Sequence, residues 1–194
     1  MSLDHILLGL LRGPACGYDL KQEFSQGVRH FWSAELSQIY PALNRLEAKK
    51  YLRSSRQRSA LGPERRVYRR TASGRKELLR WLRSGPKMGA QRFAYLAQLA
   101  FMHELENLEA TLDFMRQLKR ELGEFLSFLE DTEQELLRLE KAGTSLSDVH
   151  FHDLLCVRMG VTSIRARIGW CDECIARIRN RLKKPGKGKA EASE

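Results

Sequence analysis

Residues 33–70 read SAELSQIYPALNRLEAKKYLRSSRQRSALGPERRVYRR, and two local patterns in this stretch predict the fold around it. The first pattern is a helix, because four apolar residues recur at spacings of three, four and three and therefore share one face. These residues are Leu36, Ile39, Leu43 and Leu46. Ser33 is the expected N-cap. Because proline is tolerated only near the start of a helix, Pro41 places the predicted start between Glu35 and Gln38.

The second pattern is a hairpin that is rich in arginine. Two short strands are predicted at Tyr51–Arg56 and Arg66–Arg70, and the tip between them, residues 57–65, contains a Gly-Pro turn signal. The cations that flank this tip are Arg56, Arg58, Arg65 and Arg66. Flexible cations on a projecting hairpin suit contacts with nucleic-acid phosphates. A passive, solvated hairpin is the alternative.

The flanking sequence completes a small helical domain. A first helix is predicted at Leu3–Leu11 and a second from Gly17 to about Gly27. After the hairpin, Thr71 is expected to cap a helix that runs to Leu82. Three helices, a basic hairpin and a return helix are typical of a winged helix-turn-helix.

The second half of the chain has a sustained repeat of 3.5 residues, which is typical of a coiled-coil seam. The first series occupies positions 115, 118, 122, 125, 129, 132, 136 and 139, and all are apolar except Thr132. The second is Leu154, Val157, Val161, Ile164, Ile168, Cys171, Ile175, Ile178 and Leu182. A helix from Asp148 to Lys183 is about 50 Å long. Its seam needs the neighbouring antiparallel helix, a second subunit, or both.

The predicted fold is therefore mainly α. It has an N-terminal winged helix-turn-helix with a small β-hairpin wing and a C-terminal arm of antiparallel long helices that dimerises. The predicted divisions are a DNA-binding domain at 1–85, a helical dimerisation domain at 86–183 and a disordered tail at 184–194. Within the arm, the turn between the two helices is expected at Ala142–Ser147.

Positive charge is concentrated in the predicted winged domain. Residues 1–85 contain seventeen basic and seven acidic residues, whereas residues 86–140 contain six basic and eleven acidic ones. A basic domain favours a nucleic acid, an anionic membrane or an acidic protein as partner. The sequence has no signal-peptide pattern and no apolar run long enough to span a bilayer. The four cysteines then indicate reduced thiols, so the predicted location is the cytoplasm.

The face of the third helix that is opposite its apolar residues is the candidate for reading DNA. Its polar residues are Ser37, Gln38, Tyr40, Asn44, Arg45 and Lys49. Amide and guanidinium groups make paired hydrogen bonds to base edges, whereas tyrosine and serine more often contact phosphate. An ordinary amphipathic helix is the alternative.

Other motifs give weaker signals. Cys171-x-x-Cys174 is a single pair, and Cys171 also lies on the apolar seam, so packing explains it. His150, His152, Asp153 and Cys156 cluster at a helix start, where polar residues commonly serve as caps. No phosphate-binding glycine loop and no nucleophile motif is present. The sequence predicts no cofactor, no metal and no enzymatic activity.

Several motifs occur in an order that resembles the PadR family of transcription regulators. They are Gly13-Pro14-x-x-Gly17-Tyr18-x-Leu20, Phe31-Trp32, Gln38-Ile39-Tyr40-Pro41-x-Leu43-x-Arg45-Leu46-Glu47, Pro63-x-Arg65-Arg66-Val67-Tyr68, Thr71-x-x-Gly74-Arg75 and Leu79-x-Trp81-Leu82. The match covers roughly residues 3–83. The segment from Ile168 to Glu173 resembles the last helix of the virulence-activator-type arm that a subgroup of this family carries.

The resemblance implies a homodimer with intertwined C-terminal helices, whose winged domains enter successive major grooves of an inverted-repeat operator in double-stranded DNA. It also implies that Tyr18 and Tyr40 contact phosphate. The complete predicted DNA-binding set is Tyr18, Lys21, Ser37, Gln38, Tyr40, Asn44, Arg45, Lys49, Arg56, Arg58, Arg65 and Arg66. The predicted dimerisation set is Leu154, Val157, Val161, Ile164, Ile168, Ile175, Ile178 and Leu182.

Two residues depart from the family pattern. Lys50 stands where the family usually ends the third helix with glycine, and Arg70 replaces a usual apolar strand residue. An effector of unknown identity, bound between winged domain and arm, is a further hypothesis, with Phe31, Trp32 and Phe93 as candidate wall residues or core. The rival functions are a thiol- or metal-responsive regulator on the same fold and a coiled-coil adaptor for an acidic protein.

Overall fold

A computed structural model of the protein describes residues 2–26, 31–32, 34–59, 62–89, 92–141 and 147–183. The chain divides into two compact units, Met1–Gly89 and Ala90–Glu194, each of which has its own apolar core. The predicted tail at 184–194 and most of the predicted turn at 142–146 lie outside the described residues. In the described part of the chain, no helix is long and apolar enough to cross a membrane.

The N-terminal unit is a winged helix. Its elements are α1 (Ser2–Leu10), β1 (Ala15–Cys16), α2 (Gly17–Gln26), α3 (Leu36–Ala48), β2 (Leu52–Ser59), β3 (Gly62–Arg70) and α4 (Ala72–Arg83). Apolar residues of α1, α2 and α3 form the core, together with Leu52 and Tyr68 from the strands. Three of the four apolar residues that predicted α3 are fully buried, and Leu36 packs at the edge of the core. The predicted winged helix-turn-helix is confirmed.

The sheet differs from the predicted hairpin in two ways. Its order is β1-β3-β2, because Ala15 and Cys16 pair with Tyr68 and Val67 in a short strand that the sequence did not predict. The hairpin strands are also longer than expected, since pairing continues from Leu52↔Arg70 to Ser59↔Gly62. The predicted tip of nine residues was therefore wrong, because most of it continues the ladder.

Helix ends in this unit depend on side chains next to them. The N-cap of α3 is Glu35, and its backbone N–H donates to Gln38 Oε1 at 3.1 Å. The predicted cap, Ser33, lies outside the described residues and two positions before the observed cap. Thr71 caps α4 as predicted, since its hydroxyl accepts from the N–H of Gly74 at 3.1 Å.

Both departures from the family pattern have a structural account. Lys50 adopts a left-handed backbone with φ of 60°, so it takes the conformation for which glycine is otherwise used. Arg70 keeps its place in the ladder opposite Leu52 and donates from Nη1 to the carbonyl oxygen of Leu8 at 2.7 Å. Because the last carbonyls of a helix have no intrahelical donor, Arg70 supplies one to the end of α1.

In its described part, the C-terminal unit contains helices and no strand. It contains α5 (Ala94–Phe101), a short 3-10 helix (Met102–Leu105), α6 (Leu108–Lys141) and α7 (Asp148–Lys183). The sequence did not predict α5. Three ion pairs show that α6 and α7 are antiparallel, since Lys119 pairs with Asp172, Glu130 with Arg165 and Glu133 with Arg158.

The predicted seam is the core of this α6–α7 pair. Its buried members on α7 are Leu154, Val157, Val161, Ile164, Cys171 and Ile175, while Ile168 and Ile178 are partly buried and Leu182 is exposed. On α6, Met115, Leu118, Leu122, Leu129 and Leu136 face them. Of the two partners that the periodicity allowed, the structure shows the neighbouring helix of the same chain in contact with the seam.

Candidate nucleic-acid interface

The exposed face of α3 is centred on four small or short residues. At about 100° per residue, Ser37, Pro41, Asn44 and Ala48 fall within one narrow sector, opposite the buried leucines. All four are exposed. Short side chains on this sector let the helix backbone come close to a partner, and Asn44 places the only side-chain amide on it.

Tyr40 flanks this sector and reaches across to the start of α2. A β-carbon built on Gly17 would lie 2.6 Å from the Tyr40 ring, so only glycine at position 17 leaves room for the tyrosine. The neighbouring Tyr18 is 67% exposed and Tyr40 is 44% exposed. The Gly-Tyr motif therefore brings two tyrosines to one surface at the N-terminus of α2, where the helix dipole favours anions.

Arg45 points into the unit as well as to solvent. Its Nη2 donates to Asp4 Oδ1 at 2.8 Å, and the Asp4 residue is only 6% exposed. Because a buried carboxylate needs a partner, this ion pair fastens α3 to α1. Arg45 thus makes a structural contact within the domain, although the sequence predicts that its guanidinium contacts a base.

Two other predicted contacts hold the start of α3. Lys21 forms an ion pair with Glu35 at 2.6 Å and donates to the carbonyl oxygen of Ala34 at 3.2 Å. Gln38 uses its side-chain oxygen in the cap with Glu35. Lys21 therefore ties α2 to the start of α3, and Gln38 caps α3 itself.

A polar network joins α3 to the hairpin, which is called the wing here and comprises β2 and β3. Arg66 pairs with Glu47, and its Nε donates to Ser54 Oγ at 2.9 Å. Ser54 in turn donates to Glu47 Oε1 at 2.6 Å. The Arg66 guanidinium also lies 5.3 Å from the centre of the buried Tyr68 ring, whose pKa is raised by burial. These contacts orient the wing on α3.

Glu47 is the residue at this interface that the prediction missed. It was visible as the last residue of the Arg-Leu-Glu motif, but its role depends on Ser54 and Arg66, which lie 7 and 19 positions away. DNA contacts are expected from cations and neutral hydrogen-bond donors, so an acidic residue is not expected among them. The signal that could have found it is a single acidic residue directly after Arg45-Leu46 and before Lys49 and Lys50.

The outer part of the wing carries exposed arginines. Arg56 and Arg65 are exposed, whereas the side chain of Arg58 lies outside the described part of the chain. Arg65 is close enough to α2 that its charge contributes to lowering the pKa of Asp19, after the larger effect of the hydrogen bond from the Cys16 N–H. The wing and the start of α2 therefore form adjoining parts of one surface.

The predicted set thus falls into two groups by geometry. Lys21, Gln38, Arg45 and Arg66 make contacts that position α3 and the wing. The exposed remainder with described side chains is Tyr18, Ser37, Tyr40, Asn44, Lys49, Arg56 and Arg65. This second group provides hydroxyl, amide and guanidinium donors on one basic winged domain, which suits phosphate and base-edge contacts.

The thiol and metal motifs have other surroundings. Cys171 is fully buried in the α6–α7 seam, and burial raises the pKa of its thiol. Burial likewise raises the pKa of Cys174. A raised pKa reduces the thiolate fraction on which reactivity and metal binding depend. Within the described ranges, no three His, Cys, Asp or Glu side chains converge on a point where a metal could bind.

The fold and this surface define a DNA-binding transcription regulator of the winged helix class. Residues 6–80 match the model of the Transcriptional regulator PadR-like family, and residues 91–179 match that of the Virulence activator alpha C-term domain. The chain is 30% identical over 180 residues to the Negative transcriptional regulator PadR of Bacillus subtilis (strain 168), covering 91% of this chain and 97% of that protein. The chain belongs to the PadR family, which confirms the resemblance inferred from its motifs.

Solved structures agree with this assignment. The crystal structure of Bacillus subtilis PadR in complex with operator DNA aligns with a TM-score of 0.72 and 27% identity, over 92% of this chain and 99% of that one. The same regulator in complex with p-coumaric acid aligns with a TM-score of 0.62 and 26% identity, over 91% and 95%. The family is one of transcription regulators and not of enzymes, as predicted.

The arm has a structural counterpart too. The virulence activator AphA of Vibrio cholerae aligns over 92% of this chain and 99% of that one, with a TM-score of 0.68 and 23% identity. This likeness shows a shared fold. Together with the match of residues 91–179, it confirms that the second unit is a virulence-activator-type arm.

Proposed function

We propose that this regulator binds an inverted-repeat operator as a homodimer, with α3 in the major groove and the wing on the phosphate backbone. The observation that carries the proposal is the exposed sector of α3, which is flanked on one side by Tyr40 and by Glu47, the residue that joins α3 to the arginine wing. Asn44 is assigned to base-edge recognition, and Tyr18, Tyr40, Arg56 and Arg65 to phosphate contacts. Operator binding by the similar Bacillus subtilis regulator supports this assignment.

The test uses duplexes selected from a random library by the purified full-length protein. We expect Asn44→Ala to weaken binding to the selected duplex and to relax the sequence preference of the protein. The loss of discrimination should be about 1–3 kcal/mol at the base pair that Asn44 contacts. Arg56→Ala/Arg65→Ala should lower the slope of log affinity against log salt by about 0.9 for each lost phosphate contact. The matched control, Arg120→Ala/Arg138→Ala on α6, removes the same charge from the arm. Equal effects of the two double variants would refute the role of the wing.

Failure to bind any duplex at low salt would instead favour the adaptor hypothesis, since non-specific phosphate contacts alone should be measurable there. Sequence preference is the decisive readout for α3, and the salt slope is decisive for the wing. The two parts of the proposal can therefore fail separately.

For the dimer, a second face of α7 supports a surface distinct from the predicted seam. Phe151, Leu155, Met159, Thr162, Ala166 and Gly169 are exposed, carry no charge and fall within about 80° of one another around the helix. Met159 is 65% exposed. An uncharged stripe of this length suits packing against a second copy, because small residues let helices approach closely. The seam residues from Leu154 to Leu182 then stabilise the arm on which this stripe is displayed.

The oligomeric state tests this surface. Leu155→Glu/Met159→Glu should give a monomer in sedimentation or light scattering, whereas Gln117→Glu/Gln134→Glu adds the same charge at exposed sites of α6 and should leave the dimer intact. A wild-type monomer at micromolar concentration, or a dimer that the stripe variant retains, would contradict the proposal.

For the effector, an aromatic cluster in the arm supports binding of an aromatic carboxylic acid. The Arg167 guanidinium lies 4.4 Å from the centre of the Phe93 ring, which is 5.4 Å from Tyr95, and Tyr95 is 6.5 Å from Trp170. Aromatic faces can stack on a phenolic ring while an arginine pairs with its carboxylate. The structure of the similar regulator with p-coumaric acid supports this class of ligand.

Titration with p-coumaric acid tests this cluster, with Trp170 fluorescence and calorimetry as readouts. Arg167→Gln should weaken binding, whereas Arg165→Gln, which removes an arginine paired with Glu130 instead, should not. Absence of binding to the wild type would remove this ligand class from the proposal and leave the operator proposal unaffected.

A further inference from the structure

A shallow cavity at the base of the wing is used by none of the proposed operator, dimer and effector contacts. Its volume is about 340 Å³, and it is lined by the loop after α1, by β2 and β3, and by the first residues of α4. Five of its lining residues are arginines, and no carboxylate lines it. They are Arg12, Arg53, Arg69, Arg70 and Arg75. We call it the arginine cavity.

The charges of the arginine cavity are not balanced by the protein around them. Within the part of the chain that the structure describes, Arg12, Arg53, Arg69 and Arg75 form no ion pair. Arg53 and Arg69 are direct cross-strand partners, an arrangement in which like charges destabilise a sheet. Their clustering therefore has a cost in the empty state that a bound anion would offset.

Arg70 is half-buried, whereas the other four arginines of the cavity are exposed. It donates to the carbonyl oxygen of Leu8 at 2.7 Å, which fixes its position. Burial lowers the pKa of its guanidinium, and the positive charges of Arg75 and Arg12 lower it further. The cation nearest the core is thus held in place and surrounded by other cations.

The cavity lies at the base of the wing, at the opposite end from its tip. The wing pairs from Leu52↔Arg70 at its base to Ser59↔Gly62 near its tip, so the base is about 23 Å from the tip at 3.3 Å per residue. The chain also reaches this base from the C-terminal end of α3, whereas a recognition helix contacts bases with its N-terminal residues. A contact with the same DNA duplex is therefore not the use that the geometry favours.

We propose that the arginine cavity binds a small polyanion that carries two or more phosphate groups. Guanidinium groups hold phosphate oxygens with paired hydrogen bonds, and the four exposed arginines of the cavity exceed what one monoanion would need. Ala72, the first residue of α4, also lines the cavity, and the first N–H groups of a helix lack intrahelical acceptors and favour anions. The volume lies within the range of small-ligand sites. This site is independent of operator binding.

Calorimetry on the full-length protein with pyrophosphate as the probe, at about 0.15 M salt, tests the site under ordinary screening. We expect the wild type to bind pyrophosphate and to bind it more tightly than inorganic phosphate. Arg53→Gln/Arg69→Gln should weaken pyrophosphate binding roughly tenfold or more, since charge-assisted contacts are lost. The control Arg120→Gln/Arg138→Gln removes two exposed arginines from the arm and should bind as the wild type does.

The variant should fold, because Arg53 and Arg69 are exposed and hold no ion pair among the described residues. Its thermal unfolding is measured alongside, and Arg12→Gln and Arg75→Gln carry the same expectation singly if the double variant does not fold. Pyrophosphate that fails to bind the wild type, or binds wild type and cavity variant equally, overturns the proposal. So does a cavity variant that loses duplex affinity while the wild type ignores pyrophosphate, since the cavity then contacts DNA.

Discussion

In the winged unit, ion pairs hold elements together around a buried or half-buried carboxylate, whereas in the arm the pairs between α6 and α7 lie along the edges of an apolar seam. Asp4 of α1 is buried against Arg45 of α3, and Glu47 of α3 holds Arg66 of the wing. In the arm, Lys119–Asp172 and Arg165–Glu130 are exposed pairs outside a continuous apolar core. Removing a charge should therefore have different consequences in the two units.

Because of this difference, the packing of the arm could be predicted from apolar spacing, whereas the roles of the arginines in the winged unit could not. In the arm, apolar spacing alone defines the packing, and the charged residues can be read as a solvated surface. In the winged unit, arginines serve either packing or binding, and the two uses look alike in sequence. Substitutions at matched pairs of residues separate the two uses.

The apolar seam should provide most of the stability of the arm. Leu129→Ala removes a side chain that is 1% exposed and should lower the free energy of unfolding by about 2–5 kcal/mol. Leu139→Ala, on the same helix and in the same repeat but 43% exposed, should cost less than about 1 kcal/mol. Urea unfolding followed by circular dichroism, at one fixed protein concentration, measures both. Equal losses would mean that the seam is not the core of the arm.

Arg45 should behave as a packing residue in the winged unit. Arg45→Met leaves the buried Asp4 carboxylate without its ion pair and should destabilise the protein by about 1–3 kcal/mol. Asn44→Ala, one position earlier and exposed, should change stability by less than about 0.5 kcal/mol while reducing sequence preference. If Arg45→Met instead alters sequence preference at unchanged stability, Arg45 reads a base as the sequence predicted.

Arg65 and Arg66 are adjacent in sequence and should differ in effect. Arg66→Gln breaks the ion pair with Glu47 and should lower stability by about 0.5–1.5 kcal/mol with little change in the salt slope of DNA binding. Arg65→Gln should reduce that slope by about 0.9 and change stability by less than about 0.5 kcal/mol, because the residue is exposed. The reverse pattern would exchange the two roles.

Asp19 provides the smallest and most specific test. The hydrogen bond from the Cys16 N–H lowers its pKa below the ordinary 3.8, with Arg65 contributing. A lowered pKa in the folded state adds stability above the unfolded value, and this stability is lost as pH falls through the folded one. The difference in unfolding free energy between wild type and Asp19→Asn should therefore be present at pH 6 and shrink below pH 3.8. A difference that grows on acidification would contradict this linkage.

Much of the fold could be predicted because its signals are local. The spacing of Leu36, Ile39, Leu43 and Leu46 gave α3, and Thr71 gave the start of α4. The short strand at Ala15–Cys16 could not be found in this way, since two residues form a strand only by pairing with Tyr68 and Val67. The length of the wing was underestimated for the same reason, because cross-strand hydrogen bonds extend into a segment that contains turn residues.

The sequence by itself determined the class of the protein, the surface rich in arginine and the paired long helices, because charge and periodicity are properties of neighbouring residues. Only the tertiary structure decided that the seam is filled by α6, that Arg45 and Arg66 hold the domain together, and that five arginines share one cavity. Each of these depends on residues far apart in the chain. A guanidinium can satisfy an aspartate, a carbonyl oxygen or a phosphate, and which of them it meets is decided when distant segments pack.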